Sequence, residues 1–321
     1  MEQRGDVGGQ WLYDPRTDGG DPLGATAPVK VHSSVYASVR LISPRECMGF
    51  SDFQFVPRPG RDARHREVLL YLRDFCAAFG LADAVRLNTR VVRVAMAPRE
   101  AGGGGGSAGY SDVKWLVRSV RVDPDGSEEG SPTEEVFDAV VVANGHYSQP
   151  RLPSIEGMEV WPRRQLHSHS YRVPDPFRDE AVVVVCCGES GLDIATELCG
   201  VAQGGQPRGQ LLANHAGIRL HPPVDRLRED GTVAFADGSL AVADTIIYGT
   251  GYTYSIPFLD TAGLVPPLLP VTALVLMLTT LRCTSRHCRL RVRSHNSEPS
   301  STSSNTACHG TMAHRNIPGV P

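Results

Sequence analysis

The chain lacks a large net charge of either sign, paired metal-type cysteines, an apolar leader and a hydrophobic run of membrane-spanning length. Its 321 residues carry 32 Lys and Arg against 35 Asp and Glu, a formal net charge of −3. No basic face is needed to explain that balance, which argues against nucleic acid as a main partner. Eight cysteines stand at 47, 76, 186, 187, 199, 283, 288 and 308, none of them paired at C-x-x-C spacing. A zinc site is therefore not expected, and reduced thiols in a cytoplasmic protein are. Met1-Glu2-Gln3-Arg4 opens without an apolar region, so no targeting segment is read. The most apolar run, Val271 to Leu281, is too short to span a bilayer. No Ser/His/Asp or Cys/His arrangement stands out, and no catalytic side chain is assigned.

What is present is a soluble, globular composition, 41% hydrophobic and 21% charged, in a chain long enough for two domains. The organising stretch runs from Ala181 to Ile194. Val182-Val183-Val184-Val185 reads as a buried parallel strand, apolar on both faces. Cys186-Cys187-Gly188-Glu189-Ser190-Gly191 follows as a tight turn, and Leu192, Ile194, Ala195 and Leu198 continue at helical spacing. Strand, glycine turn and helix together make a dinucleotide-binding candidate, because a helix N-terminus offers free N–H groups and partial positive charge to a pyrophosphate. The G-x-G-x-x-G pattern wants glycine at 186, and cysteine stands there.

The chain begins with signals that belong after a strand. Glu2 followed by Gly8-Gly9-Gln10-Trp11 resembles the turn after the second strand of an FAD-binding βαβ unit. There the acid meets the ribose hydroxyls and the glycines admit the nucleotide to the backbone. Gly8-Gly9 taken alone reads as an ordinary surface turn; Trp11-Leu12-Tyr13-Asp14-Pro15 attached to it reverses that in favour of the nucleotide reading. Tyr36, Val39 and Leu41 suggest a short helical face, and Phe50, Phe53 and Phe55 suggest core beneath a loop. Residues 64 to 81 predict a helix with Val68, Leu69, Leu72, Phe75, Cys76 and Phe79 on one face and Gly80 at its end. Strands are expected at 85–94 and 114–120, joined across the glycine run 102–106, with Asp123-Pro124-Asp125-Gly126 as the next turn. Residues 135–145 read as a buried strand ending in Asn-Gly. Thr232 to Ser239 suggests a hairpin, and Thr245 to Tyr252 a buried strand ending in a glycine turn. Residues 201–210 cannot make a strand, 211–220 offer a weak one, and the Arg-rich and Ser-rich segment after Pro270 has a disordered-type composition.

Six segments in order carry a resemblance. They are Gly8-Gly9-Gln10-Trp11-Leu12-Tyr13-Asp14-Pro15, Pro44-Arg45-Glu46-Cys47-Met48-Gly49-Phe50-Ser51-Asp52-Phe53, Asn144-Gly145-His146-Tyr147, His167-Ser168-His169-Ser170-Tyr171, Ser190-Gly191-x-Asp193-Ile194 and Gly249-Thr250-Gly251-Tyr252. Together they resemble the plant flavin-containing monooxygenases, specifically the glucosinolate S-oxygenase-like branch. The resemblance implies an α/β fold of two nested Rossmann-like dinucleotide-binding domains, the FAD domain incomplete. It places a partial FAD domain at 1–150, the NADPH domain at 151–248, a return to the FAD domain at 249–269 and an atypical tail at 270–321. It implies FAD contacts at Glu2, Gly8, Gly9 and Trp11, and NADP contacts at Cys186, Cys187, Gly188, Glu189, Ser190 and Gly191. The implied activity is NADPH- and O2-dependent oxygenation of soft sulfur or nitrogen in a small thioether or amine, through a C4a-hydroperoxyflavin, with the cofactor carrying the chemistry. His146, His167 and His169 match family positions and are not expected to hold a metal.

Departures from the family define the alternatives. Nothing but Met1 precedes Glu2, so the first strand and its glycine turn are expected to be lacking, leaving a neighbouring strand unpaired and apolar surface exposed. Trp161 and Arg163 replace an aromatic and a glycine, Ile42 replaces an asparagine, and Cys186 replaces the first glycine of the NADPH turn. Arg208 is a candidate reader of the NADP 2′-phosphate. A catalytically impaired remnant of the family is the competing reading. Baeyer–Villiger and auxin-synthesising relatives are further alternatives.

Overall fold

The computed structural model describes residues 1–56, 64–98, 114–186, 188–199, 201 and 218–260. These belong to one compact unit, Met1–Thr280. In chain order they form α1 (His65–Ala78), β1 (Thr89–Met96), β2 (Trp115–Val122), β3 (Glu128–Phe137), β4 (Gln149–Pro150), β5 (Arg164–His167), β6 (Val182–Val185), α2 (Glu189–Leu198), β7 (Val224–Leu227), β8 (Thr232–Phe235), β9 (Leu240–Val242), β10 (Thr245–Tyr248), β11 (Tyr252–Thr253) and β12 (Leu259–Asp260). The glycine run 102–106, the segment 202–217 and everything after 260 lie outside the described residues, and with them Arg208 and the expectations placed there.

The strand expected at 181–185 forms, and it is parallel. β10 is the middle of a three-stranded parallel sheet, with β5 on one side and β6 on the other. Its residues Thr245, Ile246, Ile247 and Tyr248 are fully buried, because both faces of this sheet are covered. Ile247 points into a core of Tyr36, Leu166, Tyr171, Phe177, Ile194 and Leu198, joined by Val182 and Val184. Ile246 and Tyr248 point the other way, onto Trp161, Leu227, Val233 and Phe235, joined by Val183 and Val185. Alternate valines of β6 thus serve opposite cores, as a run without polar positions requires.

The second face is covered by the antiparallel meander β7-β8-β9. Arg163, which replaces the glycine of the resemblance, ties this meander down: its Nη1 donates to Ala243 O at 2.9 Å and to Asp244 Oδ1 at 2.7 Å. Trp161 is a core residue of the same face.

A four-stranded sheet, β12-β1-β2-β3, forms the other half of the unit. β1, β2 and β3 run antiparallel, β2 and β3 joined by the expected Asp123 to Gly126 turn, while β12 joins β1 in parallel. Helix α1 ends at the expected glycine: Gly80 has φ +60, open to a residue without a Cβ. Its buried face is Val68, Tyr71 and Cys76, with Phe55 stacked on Tyr71 at 4.5 Å. Phe53 and Phe50 ring the same tyrosine, so the aromatic cluster is core beneath a loop, though Phe50 stays exposed.

Three expectations are corrected. Tyr36 to Leu41 forms no helix; a turn at 37–38 turns Tyr36 and Val39 into the parallel-sheet core. The strand expected from 85 begins at Thr89, because Asn88 takes φ +51 and breaks the extended run. The buried strand expected at 135–145 does not exist. β3 instead ends at Phe137 as a solvent-facing edge strand, and residues 138–145 lie outside any strand. Val141 is 87% exposed. Apolar sequence becomes strand only where another backbone pairs with it, and no strand among the described residues lies along this run.

Candidate functional site

The β6–α2 turn is built on two glycines and one strained cysteine. Cys186 has φ +84, a left-handed conformation that costs an L-residue energy. Its side chain is exposed. The replacement therefore strains the backbone without crowding the core. Across the turn, any Cβ on Gly191 would overlap the Cys186 carbonyl oxygen. The end of β10 packs there too: a Cβ on Gly249 would lie 3.2 Å from Gly191 Cα. α2 reaches the sheet this closely only because both positions are glycine. Gly188 precedes the helix in extended conformation, and no side chain caps it. The first-turn amides therefore remain available for an anionic group, while Glu189 places a competing carboxylate in the same turn. Cys187 lies outside the described residues.

A separate cleft of about 1700 Å3 opens beside the four-stranded sheet. Glu2, Gly8, Gly9 and Trp11 all line it, together with Val140 to Tyr147 from the run that fails to pair. Gly8 has φ +129 and Gly9 φ +52. A Cβ on Gly8 would meet Leu69, whereas one on Gly9 would stand in open space, so backbone at Gly9 is accessible to a ligand. The Glu2 backbone is held by Arg86 O and its carboxylate accepts from Arg4 N at 2.8 Å. Trp11 reaches both ways, lining the cleft and packing on the Phe55, Val68 and Tyr71 cluster. The wall also holds Asp14, buried and ion-paired to Arg16 at 2.9 Å and Arg4 at 3.2 Å. Burial acts to raise the Asp14 carboxyl, but the hydrogen bonds and charge of Arg16, with the charge of Arg4, hold it below the ordinary value. Volume, accessible glycine backbone and fixed cations fit a dinucleotide in this cleft.

Between the two features lies a strip of buried polar side chains that the sequence shows only as a motif. His167 Nδ1 accepts from the His169 backbone N at 3.1 Å, and His169 Nε2 lies 2.7 Å from Val31 O. Tyr252, after the Gly249-Thr250-Gly251 turn, sets its ring edge-on to both, at 5.2 and 6.0 Å. Burial, reinforced by the neighbouring histidine, pushes His167 down to about 4; burial does the same to His169. Both are neutral near pH 7. Arg172 is buried beside them, its guanidinium donating to the carbonyls of Asp14, Ser33, His169 and Tyr171. No cluster of metal-ligating side chains occurs among the described residues.

Two contacts that spacing could not reveal hold α2. Tyr36 O–H donates to Asp193 Oδ2, and Tyr171 O–H donates to Glu197 Oε2 at 2.7 Å. Ile42, the replacement for asparagine, is 69% exposed and lines neither the cleft nor the turn. The structure thus gathers Glu2, Gly8, Gly9 and Trp11 in one cleft and puts the described residues of 186–191 on a different turn. No helix among the described residues is long and apolar enough to cross a membrane.

Comparison with known proteins places this geometry. Residues 1–205 match the family described as FMO-like, flavin-binding monooxygenase-like. Flavin-containing monooxygenase FMO GS-OX-like 8 of Arabidopsis thaliana is 52% identical over 277 residues, covering 82% of this chain and 58% of the relative. FMO GS-OX-like 9 of the same plant is 48% identical, with the same coverage of both chains. Among solved structures, S-allyl-L-cysteine S-oxygenase from Allium sativum superposes with a TM-score of 0.69 at 38% identity, covering 83% of this chain and 59% of that one. The chain therefore spans less than two thirds of the length of these relatives. Family match, identity and superposition agree with the glycine turn and the cleft: this chain belongs to the flavin-binding monooxygenase-like family.

Proposed function

We propose that the chain acts as an NADPH- and O2-dependent flavin monooxygenase on a soft sulfur or nitrogen atom of a small molecule, a thioether foremost. The observation that carries this reading is the gathering of Glu2, Gly8, Gly9 and Trp11 in one large cleft, apart from a second nucleotide turn at 186–191. In this reading the cleft takes FAD, with residues 1–150 and 249–269 as its domain. The turn between β6 and α2 takes NADP, with residues 151–248 as its domain. FAD, when bound, supplies the acceptance of hydride from NADPH and the transfer of one oxygen atom from O2. The protein's part is to hold the adenosine end near Glu2, admit the nucleotide to the Gly9 backbone and present the first-turn amides of α2 to a pyrophosphate. The Allium relative, an S-oxygenase by name, supports sulfur as the acceptor.

A second reading has its own observations: Cys186 is strained at the glycine position, and Val141 lies exposed in an unpaired run. Both suit a family member that binds nucleotide weakly and does not turn over. The test is to purify the chain with added FAD and supply NADPH with S-allyl-L-cysteine. Retained flavin absorption, NADPH oxidation and a sulfoxide product support the enzyme. Flavin retained without NADPH oxidation or sulfoxide supports the impaired form, and so does a chain that stays colourless and inactive at saturating FAD; either outcome overturns the enzyme.

A further inference from the structure

α2 is a ten-residue helix, too short to be stable by itself, so its orientation is set by what it packs against. Its apolar side, Ile194 and Leu198, lies in the core beneath the parallel sheet. Apolar contact is non-directional and leaves a short helix some freedom to roll about its axis. Directional contact comes from Asp193 and Glu197, one turn apart and so on the same side of the helix. Each carboxylate accepts a tyrosine hydroxyl, Tyr36 for Asp193 and Tyr171 for Glu197. The two rings brace one another edge to face, with centroids 5.4 Å apart and planes at 74°. Their backbones are joined as well: Ala37 N donates to Arg172 O at 2.9 Å, tying the residue after Tyr36 to the residue after Tyr171.

We propose that Tyr36 and Tyr171 are positioning residues that fix the roll of α2, and through it the aim of the nucleotide turn at its N-terminus. The inference rests on the reading of that turn as the NADP site. Tyr36 lies 157 residues from its partner, in the segment that also supplies walls of the flavin cleft. It therefore ties the segment that lines the cleft to the helix that follows the turn, while not lining the cleft itself. Tyr36→Phe keeps the ring and its packing and removes only the directional bond.

The test is NADP+ affinity of the whole chain by titration calorimetry, with the melting temperature measured alongside. Tyr36→Phe and Tyr171→Phe each weaken NADP+ binding about tenfold, the scale expected when one hydrogen bond to a charged group is lost. Asp193→Asn keeps an acceptor for Tyr36 and stays within about twofold of wild type, whereas Asp193→Ala follows Tyr36→Phe. A purely structural role lowers the melting temperature and leaves the affinity unchanged, and that result overturns the inference. If Tyr36→Phe does not fold, the Asp193→Asn and Asp193→Ala pair decides on the same criterion. A wild-type chain that binds no NADP+ overturns the reading of the turn and the inference with it; equal binding by wild type and variants overturns the inference alone.

Discussion

Gly191 closes the nucleotide turn by lying directly beneath the carbonyl oxygen of Cys186, where no Cβ fits. The obstacle is the Cys186 backbone carbonyl, with Val184 Cγ1 3.6 Å away behind it, and backbone cannot yield as a side chain would. Gly191→Ala is therefore expected to destabilise the protein by about 2–3 kcal/mol, the cost of overpacking a rigid site. Urea denaturation measures it. A loss under about 0.5 kcal/mol would show that the turn adapts, and the close helix–sheet approach would then not depend on glycine.

The opposite change is expected at Cys186. With φ +84 the residue bears the cost of a left-handed conformation, about 1–2 kcal/mol for an L-residue. Glycine removes it, and gives back about 0.4–1 kcal/mol through the freedom of the unfolded chain. The thiol is exposed, so no packing is lost. Cys186→Gly should gain about 0.5–1 kcal/mol net by these two opposing effects. Cys186→Val, β-branched at the same φ, should lose stability relative to wild type. Thermal melts of the two variants side by side decide the point; a valine variant as stable as the glycine one would remove strain as the explanation.

What the sequence made legible was local. The run Val182 to Val185, the glycines at 188 and 191 and the apolar spacing of 194 and 198 each express a preference within a few residues, and strand, turn and helix followed. The Gly8-Gly9 turn was legible for the same reason. The run 135–145 misled because its valines state that it prefers burial, while strand formation depends on a neighbour that its own residues cannot specify. Tyr36 and Asp193, or Arg163 and Ala243, meet across 157 and 80 residues, and no spacing rule connects them. The buried histidines were seen as motif; their neutrality arises from packing under Tyr252 and the loop at Val31.

Arg172 provides a third expectation. Its buried guanidinium donates to Asp14 O at 2.6 Å, His169 O at 2.7 Å, and Tyr171 O and Ser33 O at 2.8 Å. Four carbonyls from three stretches of chain share one planar fork. Arg172→Met leaves these carbonyls without their donor and should cost about 3–5 kcal/mol, since each buried carbonyl left unsatisfied costs about 1–3 kcal/mol and the side chain gains apolar burial in part return. Arg172→Lys should recover only part of this, because an ammonium has three donors at one point and cannot span the same set. Chemical denaturation of both variants tests the geometry. A lysine variant equal to wild type would show that charge, and not the fork, is what the site requires.

The histidine pair sets a pH dependence whose sign follows from its hydrogen bonds. His167 Nδ1 accepts the His169 amide, so a proton placed there would face an N–H donor and break the contact. His169 donates through Nε2 to Val31 O and sits beside the Arg172 charge, which also disfavours a second proton. Both groups are pushed down to about 4 from an ordinary value of 6.5, chiefly by burial. Between these values the unfolded chain binds more protons than the folded one, so stability rises with pH across that window. The contribution is complete above about pH 6.5 and is lost as pH falls towards 4, at about 2–3 kcal/mol for the first histidine to protonate. Unfolding free energy measured from pH 7.5 to 4.5 should therefore fall in wild type. His167→Gln keeps an acceptor for the His169 amide but cannot titrate in this range, and should flatten the upper part of the curve. If the wild-type and His167→Gln curves run parallel through this range, His167 is not the group that drives the acid loss.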